Sequence, residues 1–257
     1  MSDFVPTPER QKQILSMLAR QGRMSVAEIV RQFSISQATA RRDLGALASQ
    51  GKVKRVHGGV VAVELAPPEL PILERAADQS DEKARIGRVA AGLVGDKETL
   101  FLGSGTTALE VARNLRSRKA LTVITNSLPV LNMLAGNQGL TVISLGGMLR
   151  DSELSFIGHL TEQALAEVRV DKVFMGTRGV TLEHGLTNDY LQETLTDRAI
   201  LKIGRQVIIV ADSTKVNRVA TALLAPLRSI HTLITDSGVD RKFLQMLKRQ
   251  GIQVIIA

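Results

Sequence analysis

The chain has no cysteine and no tryptophan among its 257 residues, and a single tyrosine. Without thiols there is no disulfide, no thiolate metal site and no cysteine nucleophile, which fits a reducing compartment. Aromatic side chains make up 3% of the chain, too few for the stacking platforms that hold unpaired bases. A duplex, gripped through phosphates and groove edges, demands no such rings. No apolar run approaches the roughly 18 residues of a membrane span, and the opening "MSDFVPTPERQKQ" lacks the apolar centre of a secretion signal. A cytoplasmic protein with no membrane partner is therefore expected. Metal ligation is not expected either, because His57, His159, His184 and His231 are scattered without ligand spacing.

What is present is an ordinary globular composition, 44% hydrophobic and 23% charged, on a chain long enough for two domains. The net charge of +8 is unevenly spread: residues 1 to 65 hold ten Lys and Arg against five Asp and Glu, and the rest holds 23 against 20. A positive excess at the front points to a polyanionic partner there, the alternative being a merely well-solvated basic surface.

Helix punctuation organises this N-terminal part. Thr7 and Pro8 open a first helix whose stripe is Ile14, Leu15 and Leu18, with Gly22 as its stop. "SVAE", Ser25 to Glu28, is a capping box for a short second helix that turns Ile29, Val30 and Phe33 inward. Ser36 caps a third helix running to Gln50, stopped by Gly51, and "KVKRVHGGVVAV" then reads as two short strands around a His-Gly-Gly turn. Three helices and a hairpin make a winged helix-turn-helix over residues 1–63. Residues 64–80 hold Pro67, Pro68 and Pro71, which break helix and ladder alike, and are read as a linker. From 81 to 257 a helix leads into the apolar segments "TLFLG", "LTVIT", "LTVISLGG", "KVFMG", "QVIIVAD", "TLITD" and "QVIIA", mostly separated by helix-length amphipathic stretches. Strands this apolar with helical crossovers indicate a larger α/β domain built on a mainly parallel sheet covered on both faces.

The third helix is the candidate DNA reader. Projected at roughly 100° per residue, Ala40, Leu44 and Leu47 fall on one side, and Ala38, Arg41, Arg42, Gly45 and Ser49 fall broadly opposite. Small residues let a helix approach the floor of the major groove, and arginine forks pair with guanine edges or phosphates. Ser36, Gln37 and Thr39 sit at the end that points into the groove. On the wing, Lys52, Lys54, Arg55 and His57 are placed to grip flanking backbone. Asp43, next to the buried side, reads as an internal ion-pair partner.

A second site opens at "LFLGSGTTALEVARNL". The loop is not a Walker A motif, because no Gly-Lys-Ser/Thr follows at the required spacing. It matches the loose dinucleotide pattern, but the next strand ends in Thr125, Asn126 and Ser127, with no carboxylate for a ribose, so no nucleotide cofactor is expected. A single phosphate fits better: Gly103 and Gly105 allow close backbone approach, and Ser104, Thr106 and Thr107 supply amides and hydroxyls at a helix N-terminus. The alternative is that these glycines only permit tight strand–helix packing. Thr125 to Ser127, the pair Gly146 and Gly147, and Asp212 with Lys215 all lie at carboxyl ends of expected strands, where open α/β sheets place their ligands. Lys215 balances phosphate charge, and Asp212 accepts from sugar hydroxyls.

"SQATARRDL" and "RVHGGV" resemble the signature of the DeoR family of bacterial transcriptional regulators, and "GSGTTA", "TNS", "LGG", "HGLT" and "ADSTK" resemble that family's sensor domain in the same order. The resemblance runs from about Pro6 to the C-terminus. It implies a repressor of carbohydrate-utilisation genes, acting on double-stranded operator DNA as a homo-oligomer, with a phosphorylated sugar or related metabolite as effector. It also implies a sensor fold resembling ribose-5-phosphate isomerase, so an isomerase-like enzyme with an appended DNA-binding domain is the rival reading. In that isomerase the catalytic acids follow the strand matching "KVFMG"; here "TRGVT" follows, with Arg178 and no acid before Glu183, which favours binding without turnover. Many relatives carry an acidic or neutral residue near Arg178, so this arginine either meets an extra anionic group on the ligand or stands idle at the surface. Asp197 in "ETLTDRAIL" stands where relatives commonly carry a basic residue, and no role is carried over to that helix.

Overall fold

The computed structural model describes residues 6–21, 23–49, 53–56, 59–62 and 70–257, with the backbone alone described at 19–21, 23, 54, 61 and 62. The chain divides into two compact units, Met1–Glu64 and Leu65–Ala257. Gly22, Gln50, Gly51, Lys52, His57 and the prolines Pro67 and Pro68 lie outside the described residues.

The first unit contains α1 (Thr7–Gln21), β1 (Arg23–Ser25), α2 (Val26–Phe33), α3 (Gln37–Ser49), β2 (Val53–Val56) and β3 (Gly59–Ala62). The capping box forms as read: the Glu28 amide donates to Ser25 Oγ at 3.2 Å, and the Ser25 amide donates to Glu28 Oε2 at 2.6 Å. Ser36 caps α3 by accepting from the Thr39 amide at 3.1 Å. Ile14, Leu18, Ile29, Ala40, Leu44 and Leu47 close on Met24, Val53 and Val60 to form the core. The wing differs from the expected two-strand hairpin, because β1 pairs antiparallel with β3 and makes a three-stranded sheet in the order β1-β3-β2. Three residues in front of a capping box are too short to show alternation, but burial of Met24 fixes the strand.

Asp43 joins the buried side of α3 to α1. Its Oδ2 accepts from Arg10 Nε at 2.7 Å, and both side chains are 4% exposed. Gln11 Nε2 donates to its other oxygen at 3.4 Å.

The second unit is built on seven parallel strands: β4 (Thr99–Leu102), β5 (Leu121–Thr125), β6 (Leu140–Ser144), β9 (Val170–Met175), β12 (Gly204–Val210), β14 (Thr232–Thr235) and β15 (Gln253–Ile256). These are the seven apolar segments read from the sequence. Alternation buries both faces. Leu100, Leu102, Phe174 and Ile208 pack under α4 (Ser80–Gly92), α5 (Thr106–Leu115) and α6 (Leu128–Leu134), while Phe101, Val173, Met175 and Ile209 pack under α7 (His159–Ala166), α8 (Leu191–Ile203) and α9 (Arg241–Arg249). The remaining strands are a hairpin of β7 (Met148–Arg150) and β8 (Ser155–Ile157), and a small antiparallel sheet of β10 (Gly179–Thr181), β11 (Gly185–Asn188) and β13 (Ala222–Ala225).

The strand order β15-β14-β12-β9-β4-β5-β6 reverses between β4 and β9. From β4 the chain moves outward through β5 and β6, and from β9 it moves outward the other way. Residues 70–79, read above as the end of a linker, are packed on this unit: Ile72 is buried, its amide donates to Ser152 O at 2.7 Å, and Arg75 pairs with Glu153. A proline-rich composition hides that docking, because one buried isoleucine carries it.

Replacing Asp43 by Ala leaves Arg10 buried without this carboxylate and is expected to destabilise the N-terminal unit by about 3 kcal/mol. Urea unfolding followed by circular dichroism measures this, and a loss below about 1 kcal/mol contradicts the assignment.

Candidate functional site

A cavity of about 840 Å³ opens where the carboxyl ends of β4, β9 and β12 meet, at the reversal of strand order. The loop after β4 forms its floor. Gly105, the N-cap of α5, has φ 106°, a left-handed conformation that favours glycine, and it offers no side-chain cap to the first-turn amides. Ser104, Gly105, Thr106 and Thr107 all line the cavity. Gly103 lies beneath it, its amide donating to Phe174 O at 2.9 Å across β4 and β9.

Cations and carboxylates share the walls. Lys83, on α4, is 4% exposed, and its Nζ donates to Arg75 O at 2.8 Å. Burial pushes its pKa down, Asp212 opposes this, and Lys215 and Arg75 reinforce it. Asp212 is 1% exposed, caps the turn Ser213–Lys215 by accepting from the Thr214 amide at 3.0 Å, and lies 3.9 Å from Lys215 Nζ. Arg218 completes the cationic set and forms no ion pair among the described residues. On the α8 side, Glu193 accepts from Ser155 Oγ at 3.0 Å and Ser104 Oγ at 3.4 Å and pairs with Arg150 of β7. Asp197 Oδ2 accepts from Asn188 Nδ2 at 2.8 Å.

Arg178 does not stand idle at the surface. Its side chain is 10% exposed, and its Nε donates to Asp189 Oδ2 at 2.9 Å. It lines the cavity already tied to a carboxylate.

The other strand ends do not line this cavity. Thr125, Asn126 and Ser127 are buried at the end of β5 and hold the chain together locally. Thr125 Oγ1 donates to Leu102 O at 2.7 Å, Asn126 Nδ2 donates to Phe156 O at 2.9 Å, and Ser127 caps α6. Gly146 and Gly147 follow β6, two strands from the reversal. Gly146 O accepts from Thr161 Oγ1 at 2.8 Å, and a Cβ on Gly147, at φ 149°, would stand 2.1 Å from that same oxygen. These segments close the outer half of the sheet against β7, β8 and α7.

Sequence reasoning missed Arg75, Lys83, Glu153, Asn188, Glu193, Asp197 and Arg218, all of which line the cavity. Only Lys83 carried a usable signal, as a lysine on the buried stripe of an amphipathic helix.

In the first unit, Ser36, Gln37, Ala38, Arg41 and Arg42 are exposed along one side of α3, and Thr39 is half-buried, its Oγ1 2.9 Å from Ser36 Oγ. Neither Arg41 nor Arg42 forms an ion pair among the described residues. Arg55 is exposed on β2, Lys54 lies beside it with only its backbone described, and His57 is outside the described residues.

A winged helix-turn-helix with unpaired arginines on its third helix, in one chain with a cavity suited to a small anion, defines a ligand-responsive DNA-binding protein. Residues 10–65 match the DeoR-like helix-turn-helix domain, residues 78–237 match the DeoR C terminal sensor domain, and the chain belongs to the DeoR family. The transcriptional repressor AccR of Agrobacterium fabrum is 34% identical over 237 residues, 91% of this chain and 92% of that one. The glycerol-3-phosphate regulon repressor of Escherichia coli is 32% identical over 246 residues, 96% and 97% of the two chains. Among solved structures, ribose 5-phosphate isomerase A from Methanocaldococcus jannaschii is 20% identical and covers 54% of this chain and 55% of its own, with a TM-score of 0.40.

Gly147→Ala is expected to lower the melting temperature of the ligand-free protein by about 4 °C or more, a steric cost of roughly 2 kcal/mol. An unchanged melting curve contradicts the packing role given to this glycine.

Proposed function

We propose that the protein is a transcriptional regulator, a repressor of carbohydrate-metabolism genes, whose grip on operator DNA is altered by a phosphorylated sugar or related metabolite bound in the cavity. The observation that carries this reading is the meeting of Lys83, Lys215 and Arg218 with the uncapped N-terminus of α5 at one strand-order reversal. Asp212 and Asp197 supply acceptors for sugar hydroxyls. On α3, Gln37, Ala38, Arg41 and Arg42 read base edges, while Lys54, Arg55 and His57 hold flanking phosphates. One winged helix covers one half-site, so two copies or a multiple of two bind an operator. The protein works where the chromosome lies, in the cytoplasm.

The effector acts only through its differential affinity for the DNA-competent and DNA-incompetent arrangements, typically about 1 to 3 kcal/mol, or roughly 5- to 150-fold in operator affinity. Binding without turnover is supported by the engagement of the buried acids. Glu153 pairs with Arg75, Glu193 with Arg150, Asp197 with Asn188, and Asp212 with Thr214 and Lys215. Each of these carboxylates is committed to a structural contact.

The test uses the full chain, an operator selected from a random duplex library, and a thermal-shift panel of pentose and hexose phosphates beside their unphosphorylated sugars. Phosphorylated members are expected to raise the melting temperature and change operator affinity; equal stabilisation by free sugars contradicts the phosphate assignment. Isomer formation above background in the same incubations favours the enzyme reading.

Arg42→Ala is expected to weaken specific operator binding by about tenfold or more while ligand-induced stabilisation persists, because one bidentate base contact is worth about 1–3 kcal/mol. Operator affinity equal to that of the unsubstituted protein removes Arg42 from the reading face.

Lys83 sets a pH dependence. Its folded pKa is lowered, so between that value and the unfolded one the unfolded chain holds more protons, and stability rises with pH across that window. A bound phosphate raises the pKa again, so binding takes up protons in alkaline buffer and weakens as the pH climbs. Calorimetry in two buffers of different ionisation enthalpy is expected to show this uptake, and Lys83→Met is expected to abolish it.

A further inference from the structure

Over α7 and the first half of α8 no charged side chain is exposed. In a chain that is 23% charged, the exposed residues of α7 are His159, Leu160, Gln163 and Ala166, and those of the first half of α8 are Leu191, Gln192 and Leu195, with Lys202 exposed only in its last turn. By contrast, the exposed surface of α9 includes Arg241, Lys242, Lys248 and Arg249. Loss of charge with retention of large apolar side chains is the compositional mark of an interface core.

These residues form one neighbourhood. α7 packs on α8, and the Gly158 amide donates to Thr196 Oγ1 at 3.0 Å where α7 begins. Arg150 of β7 lies over the Tyr190 ring, 4.6 Å from its centroid, at the start of α8. Met148 shares that face of β7, two residues away. Met148, Leu160, Tyr190, Leu191 and Leu195 are 58, 66, 38, 58 and 48% exposed. Together they leave on the order of 600 Å² of side chain in water, where a standard interface buries roughly 800 Å² per partner, about two-thirds of it apolar in homodimers. A patch of this size is at the upper limit for a monomer.

We infer that this face, β7 with the outer surfaces of α7 and α8, is the self-association surface of the protein and is covered by the same face of a second copy. An uncharged patch meets its own copy across a two-fold axis without like-charge repulsion, and closed two-fold pairing uses it up. The pairing deepens the two-copy reading above by giving it a surface. It also places the interface on the helix whose inner side, Glu193 and Asp197, lines the cavity. A ligand that moves α8 therefore moves a contact shared by both copies.

Analytical ultracentrifugation of the full chain, without DNA or ligand, tests this. The unsubstituted protein is expected to sediment as a dimer or a multiple of one at micromolar concentration. Leu160→Glu/Leu195→Glu is expected to weaken association at least about tenfold, since unpaired carboxylates are then buried on both sides. Ile256→Glu, on the edge strand β15 and 45% exposed, is expected to leave association unchanged. Because the chain has no cysteine, Leu195→Cys gives a second test that does not depend on the charged variant folding: a short bismaleimide is expected to join two copies through it, and Ile256→Cys is not. A monomeric unsubstituted protein, association unaffected by the paired glutamates, or equal cross-linking from both cysteines overturns the assignment. The same holds if the patch turns out to bind a different protein. Such an outcome leaves the operator and ligand readings standing, since they are measured with DNA and sugar phosphates.

Discussion

The reversal of strand order between β4 and β9 is the constraint from which the α/β unit's function follows. Neighbouring parallel strands need helical crossovers, and where successive crossovers leave in opposite directions the carboxyl ends between them stay uncovered. At this one place the loop after β4 and the loop after β9 face each other, joined below by the Gly103–Phe174 hydrogen bond. The loops after β5 and β6 have the same small polar composition, but each is followed by elements that close over it. Position in the sheet, more than loop composition, separates the cavity from the packed ends.

Within that opening, the buried Lys83 is the strained element. Its ammonium is removed from water and held by the Arg75 carbonyl, with Asp212 and Asp78 favouring its charge and Lys215 and Arg75 opposing it. The desolvation of this lysine is met in folding, so an anion placed beside it would gain more than one beside an exposed lysine. The same Lys83 is bonded to Arg75, and Arg75 is bonded to Glu153 of the β7–β8 turn. Lys83 is thereby tied to residues 70–79, which pack on the α/β unit.

Much of the fold was legible because burial on two faces writes long apolar runs. β4, β5, β9, β12 and β14 are such runs, and the caps Ser25, Glu28 and Ser36 mark helix starts by local chemistry alone. The strands β1, β10 and β11 were not legible. They are three or four residues long and polar at several positions, and β1 and β11 are completed by partners distant in sequence, as Arg23 to Val61 and Thr187 to Leu223 are. For the cavity, the glycine-threonine loop and Asp212 with Lys215 were visible because each sits at the end of its own recognisable strand. Glu193 and Asp197 were hidden by their helix, where a carboxylate reads as solvated until a sheet turns it inward. Thr125 to Ser127 show the opposite: polar residues at a strand end look like a site, yet here they lie off the cavity and bond to β4, to β8 and to the start of α6.

Arg178 shows how pairing changes what a residue type means. An arginine after β9 invites a second anion, but Asp189 has taken that place, and the Arg178 amide is tied as well, donating to Asn188 Oδ1 at 3.0 Å. Asn188 in turn donates to Asp197 on α8. The β9–β10 turn, the end of β11 and the middle of α8 are thereby one hydrogen-bonded wall. Bracing at three points holds these side chains in fixed positions relative to one another. Arg178 thus reaches the cavity as part of that wall, with its charge already paired to Asp189.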